Sequence, residues 1–232
     1  TECLCNLYDF DAVAKKQASG AKALLPKDPS QFNIHEAVKP LVSDLVATRR
    51  YLHQHPETSF KEFKTSEYVY ERLTALPTLS GHSEGCITVV KNIGKLGVVG
   101  YTYGTGPRCD YRASTSPGAA ESAEDDVYCI LLRADMDGLP LTQTPTERNK
   151  DYISQNPGAM HACGHDGHMS MLLAAATIIT SDAFRATLPS NFCVKFCFQP
   201  AEEMFGGAKY MCDDGVLERG VTGPYVHSVF GI

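Results

Sequence analysis

The chain has 232 residues, enough to bury a substantial core, and one domain is the natural count. It carries 27 acidic against 21 basic residues, a formal charge of −6 without any Lys/Arg run, which argues against a nucleic-acid partner. No apolar stretch approaches the roughly 18–20 residues that span a bilayer, so no membrane partner is expected.

Residues 1–32 are a mixed, Lys- and Pro-containing lead-in that is not assigned to the core; 33–232 form the domain. Asn33 with Glu36 three residues on is a capping-box-like helix start. Ile34, Val38, Leu41, Leu45 and Leu52 then recur at helical spacing, ending near His55-Pro56 because proline disfavours helix before it. A second helix is expected over 62–76, then strands over 86–93 and 96–103. Residues 104–126, rich in Gly, Pro, Ser, Ala and acids, read as a solvated surface insertion. A central strand over 127–134 runs into Asp135-Met136-Asp137. A helix follows over 166–180, an apolar strand over 191–198 ended by Pro200, and a helix over 206–217.

The chemistry concentrates at three junctions. Met160-His161-Ala162-Cys163-Gly164-His165-Asp166-Gly167-His168 packs a thiol, three imidazoles and a carboxylate into nine residues before an apolar helix. Thiolate and imidazole suit zinc or manganese sites, and the glycines free the backbone to fold tightly around an ion. The bland alternative is a helix start capped by Asp166 with incidental histidines. Past Pro200 come Glu202 and Glu203, where strand alternation breaks and both can face one cleft, one as ligand and the other as general base. The bland alternative there is a solvated pair in a loop. Asp135 and Asp137 fall at the carboxyl end of a strand, where open α/β sheets place their ligand crevice.

Four segments carry a resemblance: Arg49-Arg50-Tyr51-Leu52-His53-Gln54-His55-Pro56-Glu57, Leu132-Arg133-Ala134-Asp135-Met136-Asp137-Gly138-Leu139-Pro140, the Cys163 run, and Gln199-Pro200-Ala201-Glu202-Glu203. In this order, over about residues 45–232, they resemble the metallo-amidohydrolases of the aminoacylase family, in the branch with indole-3-acetic-acid–amino-acid hydrolases and hippurate hydrolases. The resemblance implies an α/β, zinc-exopeptidase-like mixed sheet flanked by helices and interrupted by a lid or dimerisation domain. It implies two divalent ions, Mn or Zn, with Cys163 bridging them and His165 and Glu203 as terminal ligands. Glu202 would be the general base and Asp137 an orienting carboxylate. The implied substrate is a small N-acyl amino acid, and the implied assembly a homodimer through the lid.

One departure stands out. In that family a histidine ligand follows a Phe-Gly-hydrophobic sequence, whereas this chain ends at Phe230-Gly231-Ile232. The expectation is an N-terminal part of a longer enzyme, truncated before the lid and inactive as it stands. The alternative is a catalytically silent homologue with a structural or regulatory role. His53, His55 and Glu57 read as a helix-to-loop junction near the cleft, and His168 as a partner orienting a ligand. Gly81-His82-Ser83-Glu84-Gly85 matches a serine-hydrolase pattern, yet a strand-like run follows it where that elbow needs a helix. Nine cysteines without a Cys-x-x-Cys pair mildly favour an intracellular, reducing compartment.

Overall fold

The computed structural model describes residues 32–109 and 127–231; residues 1–31 of the expected lead-in, and 110–126 of the expected insertion, lie outside the described residues. Asn33 accepts the Glu36 backbone N–H at 3.3 Å and opens α1 (Ile34–Val38). The single helix expected from there is broken. Pro40 sits in a 3-10 turn, Lys39–Leu41, before α2 (Val42–Gln54), because proline has no N–H to continue the ladder and crowds the preceding turn. The apolar stripe is accordingly exposed at Ile34 (49%) and Val38 (38%) and becomes buried only at Leu52 (2%). Helix α3 (Phe63–Thr74) buries Val69 and Leu73 completely.

Five strands form one mixed sheet in the order β1-β2-β4-β3-β5. Strands β1 (Thr88–Ile93) and β2 (Gly97–Tyr103) make an antiparallel hairpin, and β2 runs antiparallel to β4 (Phe192–Gln199). Strand β3 (Tyr128–Asp135) lies parallel to both β4 and β5 (Ser228–Gly231). Strand β5 has no counterpart in the sequence reading, since four residues are too few to display a period.

Strand β4 is covered on both faces, which explains its unbroken apolar sequence. Val194, Phe196 and Phe198 pack with Leu73, Met169 and Leu173 under α3 and α4 (His165–Ile179). Cys193 and Cys197 point the other way, into a cluster with Met211 and Val216 that α6 (Gly207–Asp213) helps to build. A short α5 (Asp182–Arg185) connects α4 to β4. The last helix is shorter than the periodicity suggests: it stops at Asp213, and Gly215 then takes a left-handed φ of +78°.

The parallel pairing ends at Asp135 opposite Gln199. Asp135-Met136-Asp137 and Pro200–Glu203 therefore leave the sheet side by side, at the edge a ligand crevice favours.

Candidate metal centre

Helix α4 starts at His165, and the residue before it, Gly164, has φ +95°, a conformation L side chains rarely adopt. This sharp entry lets Cys163 and His165 face the same space. Asp166 is not the cap that the bland reading required. It lies inside the first turn, and its buried Oδ2 accepts from His53 Nδ1 at 2.9 Å and Arg49 Nε at 3.3 Å.

His165 is 2% exposed at its side chain, and its Nδ1 lies 2.8 Å from the Asp137 backbone carbonyl. A carbonyl only accepts, so Nδ1–H donates and Nε2 is left as the outward-facing atom. Around Nε2 stand Asp135 Oδ2 at 3.4 Å, Glu203 Oε1 at 3.7 Å and Glu202 Oε2 at 3.9 Å. Cys163, His165 and Glu203 each bring one donor atom to within 4.8 Å of the others.

Two observations bear on whether a cation suits these residues. Glu203 Oε1 is buried with no hydrogen-bond partner among the described residues. Titration points the same way. Burial and then Glu203, Glu202 and Asp135 push the Cys163 thiol up, disfavouring thiolate. Burial opposes charge on His165 as well, but Asp137 and Asp135 outweigh it and raise the imidazole. The carboxylates of Glu203, Glu202 and Asp135 contribute to both shifts or stand around the same donor atoms, so a divalent ion fits this donor set.

The turn after β4 aims the paired glutamates. Pro200 ends the ladder and Ala201 takes φ +52°. The next two amides donate to one buried carboxylate, Glu202 N to Asp137 Oδ1 at 3.0 Å and Glu203 N to Asp137 Oδ2 at 3.1 Å. Ser59 Oγ donates to the same Oδ2. Burial works against the Asp137 anion, but His165, Ser59 and the two amides hold its carboxyl below the usual range. The glutamates then differ: the Glu203 side chain is 15% exposed and Glu202 is 41% exposed. Glycine is needed where the chain returns, since a Cβ at Gly207 would sit 1.7 Å from the Pro200 carbonyl oxygen.

Asp135 is held by Arg133 Nη1 at 2.8 Å and His168 Nδ1 at 2.7 Å, so His168 sits one partner removed from His165. His53, His55 and Glu57 join none of the donor clusters among the described residues. His53 pairs with Asp166 and Gln143, His55 with the Tyr51 carbonyl, and Glu57 accepts from Thr65 N at 2.8 Å near the start of α3. His161 is buried with both ring nitrogens unpartnered among the described residues, and burial pushes it down to about 4. Ser83 donates to Asp182 at 2.7 Å in a turn between two left-handed glycines, so the 81–85 pattern is not a nucleophile elbow.

Two residues escaped the sequence reading. Ser59 supports Asp137, and Glu62, 0% exposed, accepts the Ala201 amide at 2.7 Å. Burial first, with Asp137 adding, pushes the Glu62 carboxyl up to about 7 against three backbone hydrogen bonds. Neither belongs to a run with a chemical signature, so no local signal marks them.

A mixed sheet flanked by helices, delivering a thiol, an imidazole and carboxylates to one edge, has the zinc-exopeptidase-like architecture. The model of "Peptidase family M20/M25/M40" matches residues 131–232, so the chain is similar to that family over this stretch. An N-acyl-L-amino acid amidohydrolase of Geobacillus stearothermophilus is 37% identical over 79% of this chain and 41% of its own. A hippurate hydrolase of Campylobacter jejuni is 34% identical over 81% and 39%. A solved Bacillus subtilis protein, described as a dinuclear metal binding peptidase from the M20 family, superposes with TM-score 0.61 at 30% identity, over 83% of this chain and 43% of that one. The chain spans about two fifths of the length of the curated relatives it matches. No helix among the described residues is long and apolar enough to cross a membrane.

Proposed function

We propose that the protein hydrolyses the amide bond between an acyl group and an amino acid, using two divalent ions, Mn or Zn. The observation that carries this reading is the division of labour at the paired glutamates. Glu203 turns a partnerless buried oxygen toward Cys163 and His165, while Glu202 stands half-exposed beside them. The names of the relatives, an N-acyl-L-amino acid amidohydrolase and a hippurate hydrolase, support the substrate class.

Cys163, His165 and Glu203 would hold the ions. Bound ions supply Lewis-acid polarisation of the scissile carbonyl and a more acidic water. Glu202 would accept a proton from the attacking water as its oxygen bonds the carbonyl carbon, and pass it to the nitrogen that leaves as the C–N bond breaks. Asp137 positions both partners, fixing the Glu202 and Glu203 backbone and offering the carbonyl that sets the His165 tautomer. The three ligands proposed here, Cys163, His165 and Glu203, are few for two ions, so residues 1–232 alone are expected to bind at most one ion, weakly, and to show no turnover.

The test is hydrolysis of a panel of N-acyl amino acids by the intact protein with added manganese or zinc. Glu202→Gln should cut turnover by about 10²–10⁴. Bound metal should also shield Cys163 from thiol reagents, while the buried Cys193 and Cys197 show no metal protection. No turnover across the panel would favour a catalytically silent homologue.

A further inference from the structure

Three successive backbone amides, those of Ala201, Glu202 and Glu203, each meet a buried carboxylate. Asp137 takes the second and third, and Glu62 takes the first, at 2.7 Å. Consecutive amides around a left-handed residue form a concave nest that carboxylates fill well. Here the left-handed residue is Ala201, a fully buried non-glycine at φ +52°, so the turn is strained and persists only where its surroundings fix it.

We propose that Glu62 is a positioning residue: by accepting the Ala201 amide it locks this turn and so aims Glu202 and Glu203 at Cys163 and His165. Glu62 stands at the start of α3, where an acidic side chain could cap the helix, but it makes no cap bond there. Instead it reaches across 139 positions of sequence to the end of β4. Its role toward catalysis rests on the proposed reading of the two glutamates; its hold on the turn does not.

The experiment compares Glu62→Leu, which removes the acceptor, with Glu62→Gln, which keeps an oxygen for the Ala201 amide, in the intact protein. Hydrogen exchange of the peptide 199–206 reads the turn, and manganese or zinc titration reads the site. E62L should speed exchange of that peptide by about tenfold or more and weaken ion affinity about 10–100-fold, the range for residues that support ligands. E62Q should exchange no more than about threefold faster than the parent and bind ions within about threefold of it. Adding Ala201→Gly to E62L should recover part of the loss, because glycine takes the left-handed turn without strain. Exchange at the parent rate in E62L, or an E62Q loss as large as that of E62L, would overturn the proposal. Should E62L fail to fold while E62Q folds with parent-like exchange, dependence on the acceptor is itself demonstrated; an E62Q that also failed would overturn it. A parent protein that binds no ion would sink the metal reading, and the exchange data would still decide the role of Glu62.

Discussion

Two buried aspartates flank the first turn of α4, and they are used differently. Asp137 has both oxygens engaged, by Ser59 and by the amides of Glu202 and Glu203, so its charge is spent on the geometry of the site. Asp166 leaves Oδ1 without a partner among the described residues and turns Oδ2 to His53 and Arg49, both on α2. One carboxylate organises a turn that carries reactive side chains; the other fastens helix to helix. The same residue type, nearly equally buried, serves the site in one case and the scaffold in the other.

The largest expected effect breaks the scaffold side. Asp166→Ala strips His53 of its buried charged partner and should lower stability by about 3–5 kcal/mol in chemical denaturation. Ion affinity of the folded fraction should stay within about threefold, since Asp166 lies behind the donor cluster. Asp137→Ala should do the reverse, weakening ion affinity about 10–100-fold in calorimetric titration. Equal affinity losses in the two variants would erase the contrast.

Acidity sharpens it next. Asp137 and Asp166 both titrate below the usual carboxylate range, so each contributes stability that is present above the unfolded pKa and lost as pH falls through the folded one. Glu62 has the opposite sign. Its folded pKa is about 7 against an ordinary 4.5, so its contribution is full below 4.5 and disappears as pH rises through 7. Glu62→Gln, which cannot titrate, should gain up to about 3 kcal/mol on the parent between those limits. Stability profiles of parent and variant that run parallel from pH 4.5 to 8 would contradict the assignment.

The smallest effect lies at Arg49, whose side chain is 55% exposed. Arg49→Ala should cost under about 1 kcal/mol in thermal melts, because a solvated partner adds little to a carboxylate already held by His53. A loss comparable to that of Asp166→Ala would make Arg49 the principal clamp.

How much of this was legible follows from where each residue sits in the chain. Cys163, His165, Glu202, Glu203 and Asp137 stand in contiguous runs beside glycine or proline, so chemistry and backbone punctuation coincide within a few residues. The order of β1 to β4 and of the longer helices was readable for the same reason, β3 and β4 being largely apolar blocks, whereas the four-residue β5 was not. Glu62 and Ser59 were not readable, because each reaches the site alone, across 139 and 78 positions of sequence, and meets it only in the folded chain. The helix break at Pro40 was masked by an apolar stripe that continues through it, though Ile34 and Val38 turn out to be exposed. Asp166 misled in the bland reading because an aspartate near a helix start has the right chemistry for a cap, and only the tertiary pairing with His53 shows its other use.

The central claim is that Glu203 holds metal and Glu202 does not. Metal content of Glu202→Gln and Glu203→Gln, purified side by side and measured by elemental analysis, tests it most directly. The account predicts that E202Q retains the parent stoichiometry while E203Q loses most of it; a metal-free E202Q beside a fully loaded E203Q would reverse the two roles.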